Sequence, residues 1–166
     1  EDRGRIVELV KDLTKDKKVN AVRDIAHERK FEPISATKGE KTRAHLKIQE
    51  GCDRYCSYCI IPYTRGPVRS RPLEDIKKEL TVLESKGYLE VVLTGIHLMS
   101  YGKDLHGVNL KDAIEQANNL PGIKRIRLGS LEPPALTDEF IDYLAENPKV
   151  CRHYRCKAAA RTSSKG

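Results

Sequence analysis

The chain has 166 residues, room for one domain of ordinary size and too little for two large ones. Its 31 Lys and Arg against 24 Asp and Glu leave a net charge of +7, and 39% hydrophobic with 33% charged residues places it at the polar end of globular proteins. No apolar run approaches the ~20 residues that cross a bilayer, and Glu1-Asp2-Arg3-Gly4-Arg5 carries no apolar secretory core, so neither a membrane partner nor an export route is expected.

Taken in chain order, Ile6, Leu9, Val10 and Leu13 recur at helical spacing and predict a first helix. Val19 to Ile25 reads as a short strand, and the charged, aperiodic stretch from Ala26 to Lys41, with Pro33 and Gly39, as a linker. Ala44, Leu46 and Ile48 alternate with polar residues and predict a strand that Gly51 ends. After a cysteine loop comes a helix with Ser70 as its cap, Pro72, Glu74 and Asp75 in its first turn, a Leu73/Ile76/Leu80/Leu83 stripe and a stop at Gly87.

The same unit then recurs. Val91-Val92-Leu93 is a strand, and Leu110, Ala113, Ile114 and Ala117 mark a helix capped by Asn109 and stopped at Pro121-Gly122. Lys124 to Leu128 alternates as a third strand, and Thr137 caps a helix carrying Phe140, Ile141 and Leu144. Strand and helix alternating three times predict an α/β fold with parallel strands and right-handed crossovers. Parallel strands end on one face, so the loops after Gln49, Leu93 and Leu128 should gather there, where such folds keep their chemistry. Lys124, Arg125 and Arg127 are expected to serve the polar side of their strand.

Three of the five cysteines, Cys52, Cys56 and Cys59, fall in the first of those loops as C-x3-C-x2-C. Without an export signal their clustering points to metal rather than disulfides, and the expected compartment is the cytoplasm. Zinc in a structural site would need a fourth ligand, from His45, Cys151 or Cys156. A 4Fe–4S cluster on three cysteines would instead leave one iron open to an outside ligand. Cys151 and Cys156 are otherwise expected to be structural or incidental thiols.

The spacing, with Tyr58 before the last cysteine, resembles the signature of radical S-adenosylmethionine (SAM) enzymes. Arg43 to Arg71 (RAHLKIQEGCDRYCSYCIIPYTRGPVRSR) resembles the core of their methylthiotransferases. Leu93 to Gly102 (LTGIHLMSYG) and Arg125 to Pro133 (RIRLGSLEP) are similar to the branch acting on threonylcarbamoyladenosine in tRNA. The resemblance implies that Cys52, Cys56 and Cys59 each hold one iron of a 4Fe–4S cluster whose fourth iron binds SAM. It implies reductive SAM cleavage, hydrogen abstraction at C2 of the modified adenine, and installation of a methylthio group there. A tRNA anticodon loop and an electron donor such as flavodoxin or ferredoxin are the implied partners; oligomeric state is left open.

In that frame Tyr58 is expected to pack on the SAM adenine, Gly95 to let backbone approach its methionine end, and Ser130 and Glu132 to hydrogen-bond it. His97 is expected to be structural. Arg65, Arg69 and Arg71, interleaved with Tyr55 and Tyr63, are candidates for tRNA contact.

The resemblance divides the chain into 1–36, the end of an N-terminal methylthiotransferase domain and linker; 37–156, a partial radical SAM (β/α) barrel with about three of six units; and 157–166, a tail outside the family pattern, consistent with a frameshift. A chain so truncated is expected to be inactive alone. The rival readings are a methylthiotransferase for isopentenyladenosine in tRNA or for a ribosomal-protein aspartate, and a non-catalytic zinc-stabilised RNA-binding module.

Overall fold

Alternation builds the sheet. In the computed structural model, which describes residues 5–13, 24–32 and 42–156, strand β1 (Arg43–Glu50) buries Ala44, Leu46 and Ile48 on one face. β3 (Glu90–Gly95) lies parallel to β1, and β4 (Arg125–Leu128) parallel to β3. Their registers align Leu46 with Leu93 and Leu93 with Leu128, a row of leucines across three strands. The order is β2-β1-β3-β4, where β2 (Arg69–Ser70) is a two-residue strand antiparallel to β1.

Helices α3 (Leu73–Ser85) and α4 (Leu110–Asn118) contribute Ile76, Leu80 and Leu83, and Ala113, Ile114 and Ala117, to one core with the leucine row. α5 (Asp138–Glu146) adds Phe140 and Leu144. Alternate positions such as Lys47, Thr94 and Arg127 fall on the opposite face, which is more polar. The product is a curled half of an α/β barrel, as the alternation of elements predicts.

Two helix starts follow their capping residues. Asn109 accepts a bond from Lys111 N at 2.8 Å while its own N–H donates to Asp112, a reciprocal cap. Thr137 Oγ1 accepts from Phe140 N at 3.3 Å. Gly87, at φ +79°, turns the chain after α3. The N-terminal helix α1 (Ile6–Leu13) forms where its periodicity places it.

The structure differs from expectation in three places. Ser70 does not cap α3: Pro72 is the residue before the helix, and Ser70 belongs to β2, where its N–H donates to Asp104 and its Oγ accepts from Gly102 N, both at 2.8 Å. A two-residue strand has no periodicity to read, so β2 was invisible. The chain also extends the sheet after α5: Val150 and Cys156 make parallel bridges to Ile126 and Leu131, the start of a further parallel strand. Finally, Ile25 lies in a turn rather than a strand; residues 14–23, the Pro33–Lys41 part of the linker and the 157–166 tail lie outside the described residues.

Candidate functional site

The loop after β1 opens with a constraint. Gly51 has φ +70°, and a Cβ there would meet Pro67 O at 1.8 Å, so only glycine fits the approach of the two chain segments. Cys52 follows and is buried, its N–H donating to Gly66 O at 3.0 Å. Asp53 ties the same segments again by accepting from Val68 N. Cys59 N donates to Cys56 O at 2.9 Å, a tight turn that carries the second and third cysteines back to back. Between Cys52 and Cys56, Tyr55 sits at φ +47°, a left-handed conformation that costs a side-chain-bearing residue ~1–2 kcal/mol. Helix α2 (Ile61–Arg65) and Gly66 close the loop.

All five cysteines are free thiols. Burial pushes the Cys52 thiol above its usual range; an N–H from Arg54 lowers it, and Cys59, Cys56 and Glu132 raise it further. Cys56 and Cys59 thus lie within electrostatic reach of Cys52, and a cationic metal centre there would favour its thiolate. Among the described residues no three His, Cys, Asp or Glu groups stand close enough to share a single metal ion. A 4Fe–4S cube asks for a wider arrangement, one thiolate per iron, and three free thiols on one loop suit it.

Gln49, at the end of β1, organises the floor. It is fully buried; its Nε2 donates to Glu50 O and Gly51 O, and its Oε1 accepts from His97 N at 2.7 Å. Gly95 is its register partner on β3, and a Cβ on Gly95 would lie 2.8 Å from Gln49 Oε1. Close packing against Gln49 therefore accounts for this glycine in the chain itself.

Glu132, in the loop after β4, joins the three strand-end loops. Its Oε2 lies 3.2 Å from Arg54 of the cysteine loop and 3.0 Å from His97 Nε2 of the loop after β3. His97 is buried, and its Nδ1 is 2.6 Å from Ser100 Oγ. The loops after Gln49, Leu93 and Leu128 do gather at one end of the sheet, as parallel topology requires. Ser130 is half-buried on the same loop as Glu132, and Tyr58 is 67% exposed beside Cys59.

The arginine triplet separates. Arg65 is half-buried at the end of α2, but Arg69 and Arg71 are 2% and 4% exposed. Arg71 pairs with buried Glu79 on α3 at 3.3 Å, and its carbonyl accepts from Tyr101 Oη. The expected tRNA contacts of Arg69 and Arg71 are thereby corrected: both side chains are spent inside the fold. Arg127 and Arg125 sit 3.0 and 3.7 Å from Glu90, serving the strand's polar side as expected. Cys151 lies beside Arg125, and the backbone of Cys156 takes part in the strand bridge. Gln49 and the His97–Glu132–Arg54 chain escaped sequence reasoning, because no spacing rule links residues so far apart.

Comparison with known proteins gives these loops a context. The sequence profile of the radical SAM superfamily matches residues 46–156. Threonylcarbamoyladenosine tRNA methylthiotransferase MtaB of Bacillus subtilis is 36% identical over 156 residues, 92% of this chain and 35% of that protein. A tRNA-2-methylthio-N(6)-dimethylallyladenosine synthase of Thermotoga petrophila is 40% identical over 149 residues, 89% of this chain and 33% of that protein. A putative methylthiotransferase of Helicobacter pylori is 51% identical over 107 residues, 64% of this chain and 25% of its own. The chain thus spans a quarter to about a third of the curated relatives it matches. Among solved structures, the radical SAM methyltransferase TsrM from Kitasatospora setae aligns with a TM-score of 0.49 and 20% identity, over 70% of this chain and 22% of that one. The profile match covers most of the described sheet and every cysteine of the loop, and the chain is accordingly a member of the radical SAM superfamily, related in sequence to its methylthiotransferases.

Proposed function

We propose that this chain is the cluster- and SAM-binding part of a methylthiotransferase that modifies C2 of N6-threonylcarbamoyladenosine beside the tRNA anticodon. The carrying observation is the free-thiol triad Cys52, Cys56 and Cys59 on the loop that leaves β1 at the active end of a parallel sheet. The unit that does this work is 37–156, with 1–36 belonging to a preceding domain and 157–166 to neither.

Cys52, Cys56 and Cys59 would hold the 4Fe–4S cluster. When bound, the cluster supplies the electron that cleaves SAM and so yields the radical that opens the adenine C–H bond. The chain's own residues do the positioning. Gly51 and Asp53 fix the loop against Gly66–Val68, and Arg54 ties it to Glu132. Tyr58 offers an exposed ring for the SAM adenine, Gly95 the backbone at its methionine end, and Ser130 and Glu132 polar groups on the neighbouring loop. Glu132 Oε2 is near Arg54 and His97 but buried without a hydrogen-bond partner, so the carboxylate keeps acceptor capacity for SAM. Arg65 is the arginine assigned to tRNA phosphate, and flavodoxin or ferredoxin the class of electron donor.

The dimethylallyladenosine substrate is favoured by the Thermotoga relative and is kept as the second reading. The test is anaerobic reconstitution with iron and sulfide followed by SAM. Incorporation of ~4 irons per chain with charge-transfer absorption and SAM cleavage supports the proposal. One tightly bound colourless zinc without SAM cleavage replaces it with the RNA-binding-module reading. Linked to the remainder of its parent protein, the chain is expected to methylthiolate threonylcarbamoyl- rather than dimethylallyl-tRNA; the reverse preference selects the second reading.

A further inference from the structure

Four large apolar side chains lie exposed within nine residues of the cysteine loop: Tyr55 at 60%, Tyr58 at 67%, Ile60 at 64% and Tyr63 at 66%. Tyr58 is assigned above to the cofactor. The other three form a separate feature. Tyr55 and Tyr63 meet edge to face, with centroids 5.7 Å apart and planes at 80°, and Ile60 O accepts the Tyr63 N–H. Tyr55 reaches this position only through its left-handed backbone, φ +47°. A residue held in that conformation with its ring turned to solvent stabilises nothing in the core, and strain of this kind concentrates where a chain meets a ligand.

We infer that the Tyr55–Tyr63 pair, with Ile60 beside it, is a stacking platform for an unpaired base of the RNA substrate. The inference rests on the tRNA reading proposed above and adds the surface and the mode of contact. Edge-to-face geometry leaves one ring face of the pair open, and a nucleobase requires only such a face. The platform is continuous with the cluster loop, since Tyr55 precedes Cys56, so a base stacked there is delivered to the chemistry. An acidic protein partner would be steered by charge, and here the flanking charges are Asp53, Arg54 and Arg65, with Arg54 drawn to Glu132. The rings select single-stranded bases over duplex, whose bases are already stacked on one another.

The test is a titration of the purified chain, without cluster or SAM, against an RNA hairpin with an adenine-containing loop and a blunt RNA duplex of equal length. The hairpin is expected to bind more tightly and to quench tyrosine fluorescence. Tyr55→Ala and Tyr63→Ala should each weaken hairpin binding by ~10-fold, with duplex binding unchanged, and Tyr55→Phe and Tyr63→Phe should restore it. Circular dichroism of the variants checks that the fold is intact; Tyr55→Leu and Tyr63→Leu, which keep apolar bulk but remove the ring, replace any alanine variant that unfolds and should show the same loss. No preference for hairpin, equal losses on both RNAs, or no loss in any variant overturns the inference. Because neither cluster nor SAM is needed, failure here leaves the radical chemistry standing, and failed reconstitution leaves this result standing.

Discussion

Gln49 and Gly95 are register partners across the parallel β1–β3 pair, and they are so close that a methyl group on Gly95 would lie 2.8 Å from Gln49 Oε1 and 2.9 Å from its Cβ. That oxygen is also the acceptor for His97 N. A Gly95→Ala substitution must therefore displace Gln49, and with it the loop that carries His97. The expected cost is ~1–3 kcal/mol, as for an overpacked core. A lowered denaturant midpoint with an unchanged slope is the measurement; an unchanged midpoint would show that the strand ends part without penalty.

Gln49 itself has three bonds to lose. In Gln49→Leu the His97 N–H and the carbonyls of Glu50 and Gly51 are left without their present partner in a buried place. Unsatisfied buried groups cost ~1–3 kcal/mol each. Gln49→Glu keeps the acceptor and loses the donor, so it should fall between the wild-type chain and the leucine variant in thermal unfolding.

The sequence displayed the β1–β3–β4 scaffold because its strands and helices each carry a buried stripe, and the caps at Asn109 and Thr137 lie next to the residues they serve. The cysteine loop was legible for the same local reason, three thiols in eight residues. Long-range polar geometry was not. Arg69 and Arg71 look like surface cations in a basic stretch, yet β2 turns them inward, and a strand of two residues leaves no pattern. Glu132 was readable as a polar group at the right strand end, but its closeness to Arg54 and His97 follows from how three loops meet in space.

Arg71 and Glu79 make a buried ion pair, and removing one partner strands the other charge. Arg71→Ala is expected to destabilise the chain by ~3–5 kcal/mol. The double variant Arg71→Met, Glu79→Leu should recover most of that loss. RNA affinity per folded molecule should not move.

Alkaline pH should unfold the chain through its buried phenols. Burial raises the Tyr101 hydroxyl above its ordinary value of 10, with Asp104 and Asp112 adding to the effect and Arg71 opposing it. A raised folded value means that the unfolded chain releases its proton first. The stabilisation is therefore complete below pH ~10 and is lost progressively as pH climbs from there toward the folded value. Tyr101→Phe, which removes the bond to Arg71 O, should flatten that alkaline limb while lowering stability at neutral pH. An identical limb in the variant would assign the titration to other groups.

Alanine at Cys52, Cys56 or Cys59 should abolish iron uptake on reconstitution, whereas Cys151→Ala and Cys156→Ala should leave it intact, since both residues lie outside the cysteine loop, beside Arg125 and in the strand bridge. Iron and sulfide counts on each variant decide it. Retained iron in Cys56→Ala would relocate the centre.

The Arg54–Glu132 contact has a consequence in time. A ribosome releases the whole thiol set early, while the carboxylate that fastens Arg54 emerges only after two further strand–helix units have been made. The loop is therefore tied down last, by a segment of chain made well after it.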